Sequence, residues 1–174
     1  MSIQLDIVPT VAEVAFWGDI KNQLQSLISP LEFGFMGETP TLKYLGSDII
    51  VKENDRLLLN KTYYLSLEIP NTLSITVMPN KGNLEELEYL EDYARNCEFQ
   101  FIQSLAESWQ KTGFYYEITT QGGRSKNEPT IFQFLAAAIA YISSGYVILM
   151  NNNIFDLDVG VYKPDDFKNA QPKF

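Results

Sequence analysis

Residues 130–145, TIFQFLAAAIAYISSG, with YVILM at 146–150 and IFDLDVGVY at 154–162 behind them, decide the fold. The first stretch predicts a helix from Thr130 to Gly145, with Thr130 and Gln133 at capping-box spacing. Phe134 to Ala140 is apolar on nearly every side, so this helix belongs in the centre of the molecule, with Phe134 a candidate for its core side. Tyr146–Met150 and Ile154–Tyr162 read as strands, and Asn151-Asn152-Asn153 supplies turn chemistry between them. In the second strand Phe155, Leu157, Val159 and Val161 alternate with Asp156, Asp158 and Gly160, which predicts one packed face and one wet face.

Two further helices are expected toward the N-terminus. One follows Pro9: Thr10 and Glu13 have capping-box spacing, Val14, Trp17, Leu24, Leu27 and Ile28 recur at helical period, Lys21 lies at the edge of that stripe, and Pro30 ends the run. The other is long. Asn83 caps it with Glu86 three residues on, and Leu87, Leu90, Ala94, Cys97, Phe101, Leu105 and Trp109 form its stripe, with a kink near Asn96 and a left-handed stop at Gly113. Short strands are expected at Lys43–Leu45, Asp48–Lys52 and Arg56–Leu59, with Asn54-Asp55 as a turn. Tyr63–Ile69 and Leu73–Met78 form a hairpin candidate about Pro70-Asn71, and Phe114–Thr119 follows the long helix. This order is α+β: an antiparallel sheet with about three helices packed mainly on one face, as a single domain over residues 1–174.

Composition narrows the chemistry. The 174 residues include no histidine and one cysteine, and the formal net charge is −9. Imidazole is the side chain that titrates near neutral pH unaided and ligates transition metals while neutral, so the commonest hydrolytic and metal-dependent sites are not expected. The acid excess disfavours phosphate backbones and anionic lipid, so neither nucleic acid nor membrane is an expected partner, whereas a basic protein would be attracted. A single cysteine makes no internal disulfide and fits a reducing cytosol. MSIQLDIVPTVAEV has no signal-peptide pattern, and Ile131–Ile142, the best apolar run, is too short to span a bilayer. A cytoplasmic protein is expected.

No constellation points to catalysis, a metal or another cofactor. Asp156-x-Asp158 and Asp165-Asp166 lack the calcium-loop spacing and read as a solvated face. Gly122-Gly123-Arg124-Ser125-Lys126 lacks the phosphate-loop spacing and reads as a basic loop, and Cys97 falls on the apolar stripe of the long helix. The acidic run from 85 to 92 is different. Glu85, Glu88 and Asp92 share one helix face, and Tyr89 lies beside them, an aromatic of the type that anchors interfaces. The expected partner-binding residues are therefore Glu85, Glu88, Tyr89 and Asp92 together with Asp156, Asp158, Asp165 and Asp166.

The stretch from Ala138 through Gly145 and Val147, then FDLDVGVY at 155–162 and KPDDF at 163–167, resembles the closing segment of small bacterial immunity proteins of polymorphic-toxin and contact-dependent growth inhibition systems. There a buried helix ending in glycine feeds a hairpin that leads to a short Pro-Glu/Asp-Asp-Phe turn. The resemblance implies a stoichiometric inhibitor whose acidic surface covers the basic active site of a nuclease-type toxin, with no catalysis of its own. Two other classes stay open: an enzyme using carboxylate, tyrosine or lysine chemistry without histidine, and a phage or mobile-element accessory protein that recruits a host factor. Oligomeric state is not legible.

Overall fold

The computed structural model describes residues 2–28, 39–66, 73–82, 107, 109–121, 127–150 and 154–173. Its frame is a seven-stranded sheet in the order β2-β3-β4-β5-β1-β6-β7. The strands are β1 (Ile3–Val8), β2 (Thr41–Tyr44), β3 (Tyr63–Ser66), β4 (Thr76–Lys81), β5 (Phe114–Thr120), β6 (Tyr146–Leu149) and β7 (Gly160–Tyr162). Every neighbouring pair is antiparallel. Helices α1 (Trp17–Leu27) and α2 (Glu128–Ile142) pack against each other, and a single turn, α3 (Pro164–Phe167), packs on α2 and β6. This is the α+β architecture expected from the element order.

Strand alternation sorts the sheet into two faces. Ile3, Leu5 and Ile7 of β1, Phe114, Tyr116 and Ile118 of β5, and Val147 and Leu149 of β6 enter the main core with Trp17, Ile20 and Leu24 of α1 and Phe132, Leu135 and Ile139 of α2. On the reverse face Val8, Tyr115, Ile148 and Val161 form a smaller cluster under Trp109, whose ring lies 5.0 Å from that of Tyr115. Trp109 belongs to the helical residues 109–112, which stop at Gly113. Gly113 has φ +72° and donates its N–H to the Trp109 carbonyl, the left-handed stop expected there.

Several local expectations give way to long-range pairing. Thr10 does not cap α1: its N–H donates to the Ser143 carbonyl and its hydroxyl to that of Ser144, while Glu13 pairs with Arg56. The helix begins at Trp17, where the turn at 53–55 supplies the acceptors: Trp17 N–H reaches Asp55 O and Gly18 N–H reaches Glu53 O. Lys21 is at the edge of the apolar stripe, as expected, and pairs with Glu53. Likewise α2 starts two residues before Thr130, with Pro129 in its first turn, and the Gln133 amide donates to Phe167 O and Ala170 O rather than closing a capping box.

At its C-terminal end Ser144, not Gly145, takes positive φ (48°). Gly145 is required for a different reason, because a Cβ there would stand 2.3 Å from the Val8 carbonyl oxygen. Phe134, read as a core residue of α2, is only partly buried, whereas Phe132 is fully so.

The expected strands Asp48–Lys52 and Arg56–Leu59 reduce to single bridges, Ile50 to Lys43 and Arg56 to Phe16. Their apolar residues divide between core and surface instead of alternating: Val51 and Leu57 are buried, but Ile49, Ile50, Leu58 and Leu59 are not. The last strand is also shorter than its alternation suggests. Only Gly160–Tyr162 pairs with β6, and Phe155 bridges Pro172 near the C-terminus. Asp156 and Asp158 therefore do not share a strand face. Most of the expected long helix, with Cys97 and Asn96, lies outside the described residues, as do Pro70-Asn71, the Gly122–Lys126 segment and the expected turn at Asn151–Asn153. Among the described residues no helix is long and apolar enough to cross a membrane.

Candidate functional site

The four C-terminal carboxylates of the expected site come together around β7. Asp156 and Asp158 lie in the connection entering it, and Asp165 and Asp166 lie in α3 just after it; all four are exposed. The surface is built from the C-terminal residues folding back. Asp156 N–H donates to Gln171 O (3.0 Å), Gln171 N–H returns to Asp156 Oδ1 (2.6 Å), and Lys173 N–H reaches Ile154 O. Beneath them Phe155 and Phe167 meet edge to face at 4.9 Å, which fixes α3 against the sheet.

Asp165 is the centre of a small ordered cluster. Its Oδ1 accepts the Tyr141 hydroxyl from α2 and Lys168 Nζ at 2.8 Å, and Lys168 also stands over the Tyr141 ring. The Lys168 ammonium and the Tyr141 hydroxyl hold the Asp165 carboxyl below its ordinary range. The hydrogen bond to Asp165 in turn raises Lys168, and partial burial followed by the Asp165 hydrogen bond raises Tyr141. Nearby, the Tyr162 hydroxyl donates to the Asp158 carbonyl at 2.7 Å and is raised first by burial and then by the Asp158 charge. The carboxylates of Asp158 and Asp166 have no partner among the described residues. Tyr162 in β7 and Tyr141 in α2 are thus each tied to an acidic segment flanking β7, and Lys163, Lys168 and Lys173 lie in the same stretch of chain. Glu85, Glu88, Tyr89 and Asp92 lie outside the described residues.

Sequence reasoning missed three polar arrangements. On the reverse face Asp6 and Glu117 stand directly opposite each other across β1 and β5. Gln4 donates to Asp6 and Asn80 donates to Tyr115 and Glu117. No single strand announces this pair, because the register that creates it joins residues more than a hundred positions apart in the chain.

The second arrangement is Glu128, fully buried in the first turn of α2. Its Oε1 accepts Ser74 N–H at 2.9 Å, the Ser74 hydroxyl and the Thr120 hydroxyl, and its Oε2 has no partner. A carboxylate there is favoured by the helix dipole and ties α2 to the ends of β4 and β5. Its one sequence signal is an acid immediately before Pro129 at a helix start.

The third is a shallow groove of about 400 Å³ lined by Phe16, Gly18, Asp19, Asn22, Glu53 and Asn54. Of its two acids Glu53 pairs with Lys21, and Arg56 stacks 4.1 Å over the Phe16 ring. Among the described residues no group of three or more acids and cysteines is placed to hold a metal ion.

Both tyrosine hydroxyls beside β7 are held by hydrogen bonds, Tyr141 to the Asp165 carboxylate and Tyr162 to the Asp158 carbonyl. Comparison of the chain with protein-family models, with curated protein sequences and with solved structures finds no match.

Proposed function

We propose that this chain is a stoichiometric binding protein: a cytosolic immunity protein that neutralises a basic, nuclease-type toxin domain by covering its active surface. The observation that carries this reading is the pre-ordered tyrosine–carboxylate surface at β7, where Tyr141 and Tyr162 are held in place and Asp158 and Asp166 are unpaired. The distribution of charge supports it. Residues 83–107 carry seven acids and one base, so a basic partner is steered toward this chain over a wide approach. On this reading the buried aromatic contacts carry affinity, and the carboxylates set association rate and partner choice. Function then lies in occupancy, and no step of bond making is required.

Co-expression with the polymorphic-toxin domain encoded immediately upstream tests the reading. The expected result is a one-to-one complex that weakens with salt and restores growth; no complex, or a salt-insensitive one, overturns it. Reversing Asp158 and Asp166 together to lysine should slow association by about tenfold at low ionic strength while leaving unfolding free energy within about 0.5 kcal/mol, since both side chains are exposed.

A further inference from the structure

Seven large hydrophobic side chains are exposed among the described residues, and five of them, Leu45, Ile49, Ile50, Leu58 and Leu59, come from the connection between β2 and β3, at 44–65 % exposure. They sit on a well-anchored segment. Val51 and Leu57 from the same stretch are buried, Lys61 N–H closes the turn onto Leu58 O, and Asn60 is fixed by its N–H on Pro79 O and by Lys81 N–H on its Oδ1. The two ends of the patch adjoin. Tyr44 N–H reaches Ile49 O, and Leu45 N–H reaches Thr62 O beside the Leu58–Lys61 turn.

The backbone of this edge is open at one position. Tyr44 N–H bonds to Ile49 O and Val51 N–H to Leu42 O, so Lys43 and Ile50 face each other as a pair without mutual hydrogen bonds. The N–H and C=O of Ile50 therefore point away from β2, and neither has a partner among the described residues. An outward N–H and C=O on one residue, flanked by extended backbone, is the template for adding another strand.

We propose that two copies of this chain pair edge to edge about a twofold axis at Ile50, antiparallel, so that the sheet continues across a homodimer. The local sequence, Asp48-Ile49-Ile50-Val51-Lys52, is self-complementary under that operation. Ile50 exchanges both hydrogen bonds with the partner's Ile50, and Asp48 of each copy faces Lys52 of the other. Neither the Asp48 carboxylate nor the Lys52 ammonium has a partner among the described residues, and both are exposed. Opposite charges directly across an antiparallel pair stabilise it, and the twofold axis doubles the effect.

The charge of the whole chain favours the same edge. Residues 41–62 carry four bases and three acids, against nine bases and nineteen acids elsewhere, so two copies repel each other least here. A handful of exposed side chains makes a small interface, so the dimer is expected at about micromolar concentration or above. It leaves β7, at the opposite end of the sheet, free, and it does not depend on the immunity reading.

Sedimentation equilibrium of the full chain from about 1 μM to about 1 mM tests the proposal. The expected result is a mass that rises with concentration from that of one 19.9 kDa chain to twice it. Asp48→Lys and Lys52→Asp, each alone, put like charges across the axis and should weaken association by about tenfold or more. An equimolar mixture of the two variants restores an acid opposite a base at both positions, and association should recover. That recovery also shows that both variants are folded. A monomer at every concentration overturns the proposal, as does a dimer that neither variant weakens or a mixture that fails to recover.

Discussion

Beside β7 the connections into and out of the strand are tied down by the chain itself. The C-terminal residues fold back over the connection into the strand, Asp156 and Gln171 exchange hydrogen bonds, and Asp165 is shared by Tyr141 and Lys168. At the β2 edge, among the described residues, Ile50 presents an N–H and a C=O without a partner, Asp48 and Lys52 have none either, and Ile49 and Ile50 are exposed. The two edges belong to one sheet and rest on one core, so fold class does not account for the difference. On the readings proposed above, the surface beside β7 meets a different molecule through its charges, whereas the open backbone at Ile50 is completed by another strand.

The strongest way to break this comparison is to remove what holds the β7 edge in place. Phe167→Ala deletes a fully buried ring that contacts Phe155 and should cost about 3–5 kcal/mol, read by urea unfolding. If hydrogen exchange then shows the β7 side opening alone, the two edges are separate cooperative units; a common loss of protection makes them one. Leu57→Ala is the matching change beneath the β2 edge. It should cost about 2–4 kcal/mol, toward the low side for leucine because a site near the rim collapses more readily.

Between the edges, Tyr116 is buried in the sheet with its hydroxyl accepting Ala15 N–H at 2.8 Å, and burial pushes its pKa to about 12. The unfolded chain releases that proton near pH 10 and the folded chain near pH 12, so the folded state binds more protons in this window. The stabilisation is complete below pH 10 and falls by about 2–3 kcal/mol as pH rises to 12. Tyr116→Phe should flatten that alkaline slope while lowering neutral stability, because Ala15 N–H loses its acceptor.

The smallest effect is at Asp165. Its carboxyl is held below the ordinary range by Lys168 and Tyr141, so its contribution is present above the unfolded value and disappears as pH falls through the lower folded one. Asp165→Asn should remove that acid-side dependence and leave neutral stability almost unchanged, since the pair is exposed.

What the sequence made legible was local in origin. The apolar circumference of residues 134–140 identified α2 as central, Gly113 identified a helix stop, and the element order identified an α+β sheet. What it hid was made by residues far apart. Trp17 and Gly18 take their helix-start acceptors from Asp55 and Glu53, so a capping box at Thr10 and Glu13 had no orphan donors to serve. Gln133 matched a capping pattern by spacing but is drawn inward by the carbonyls of Phe167 and Ala170.

The same holds for the site. Spacing suggested that Asp156 and Asp158 share a strand face, yet their placement follows from Phe155 bridging Pro172, a contact with no local signature. The opposed carboxylates of Asp6 and Glu117 exist only once β1 and β5 are in register.

The position of β1 has a consequence for how the molecule assembles. It lies between β5 and β6, pairing Ile3 with Thr120 and Val8 with Tyr146, so both of its edges stay open until chain on the order of a hundred residues downstream has been made. The halves β2-β3-β4-β5 and β6-β7 each join strands in chain order, and only β1 links the two. Folding therefore has a late, high-contact-order step. A nascent chain stalled before residue 114 would carry β1 as a two-sided template for wrong pairing.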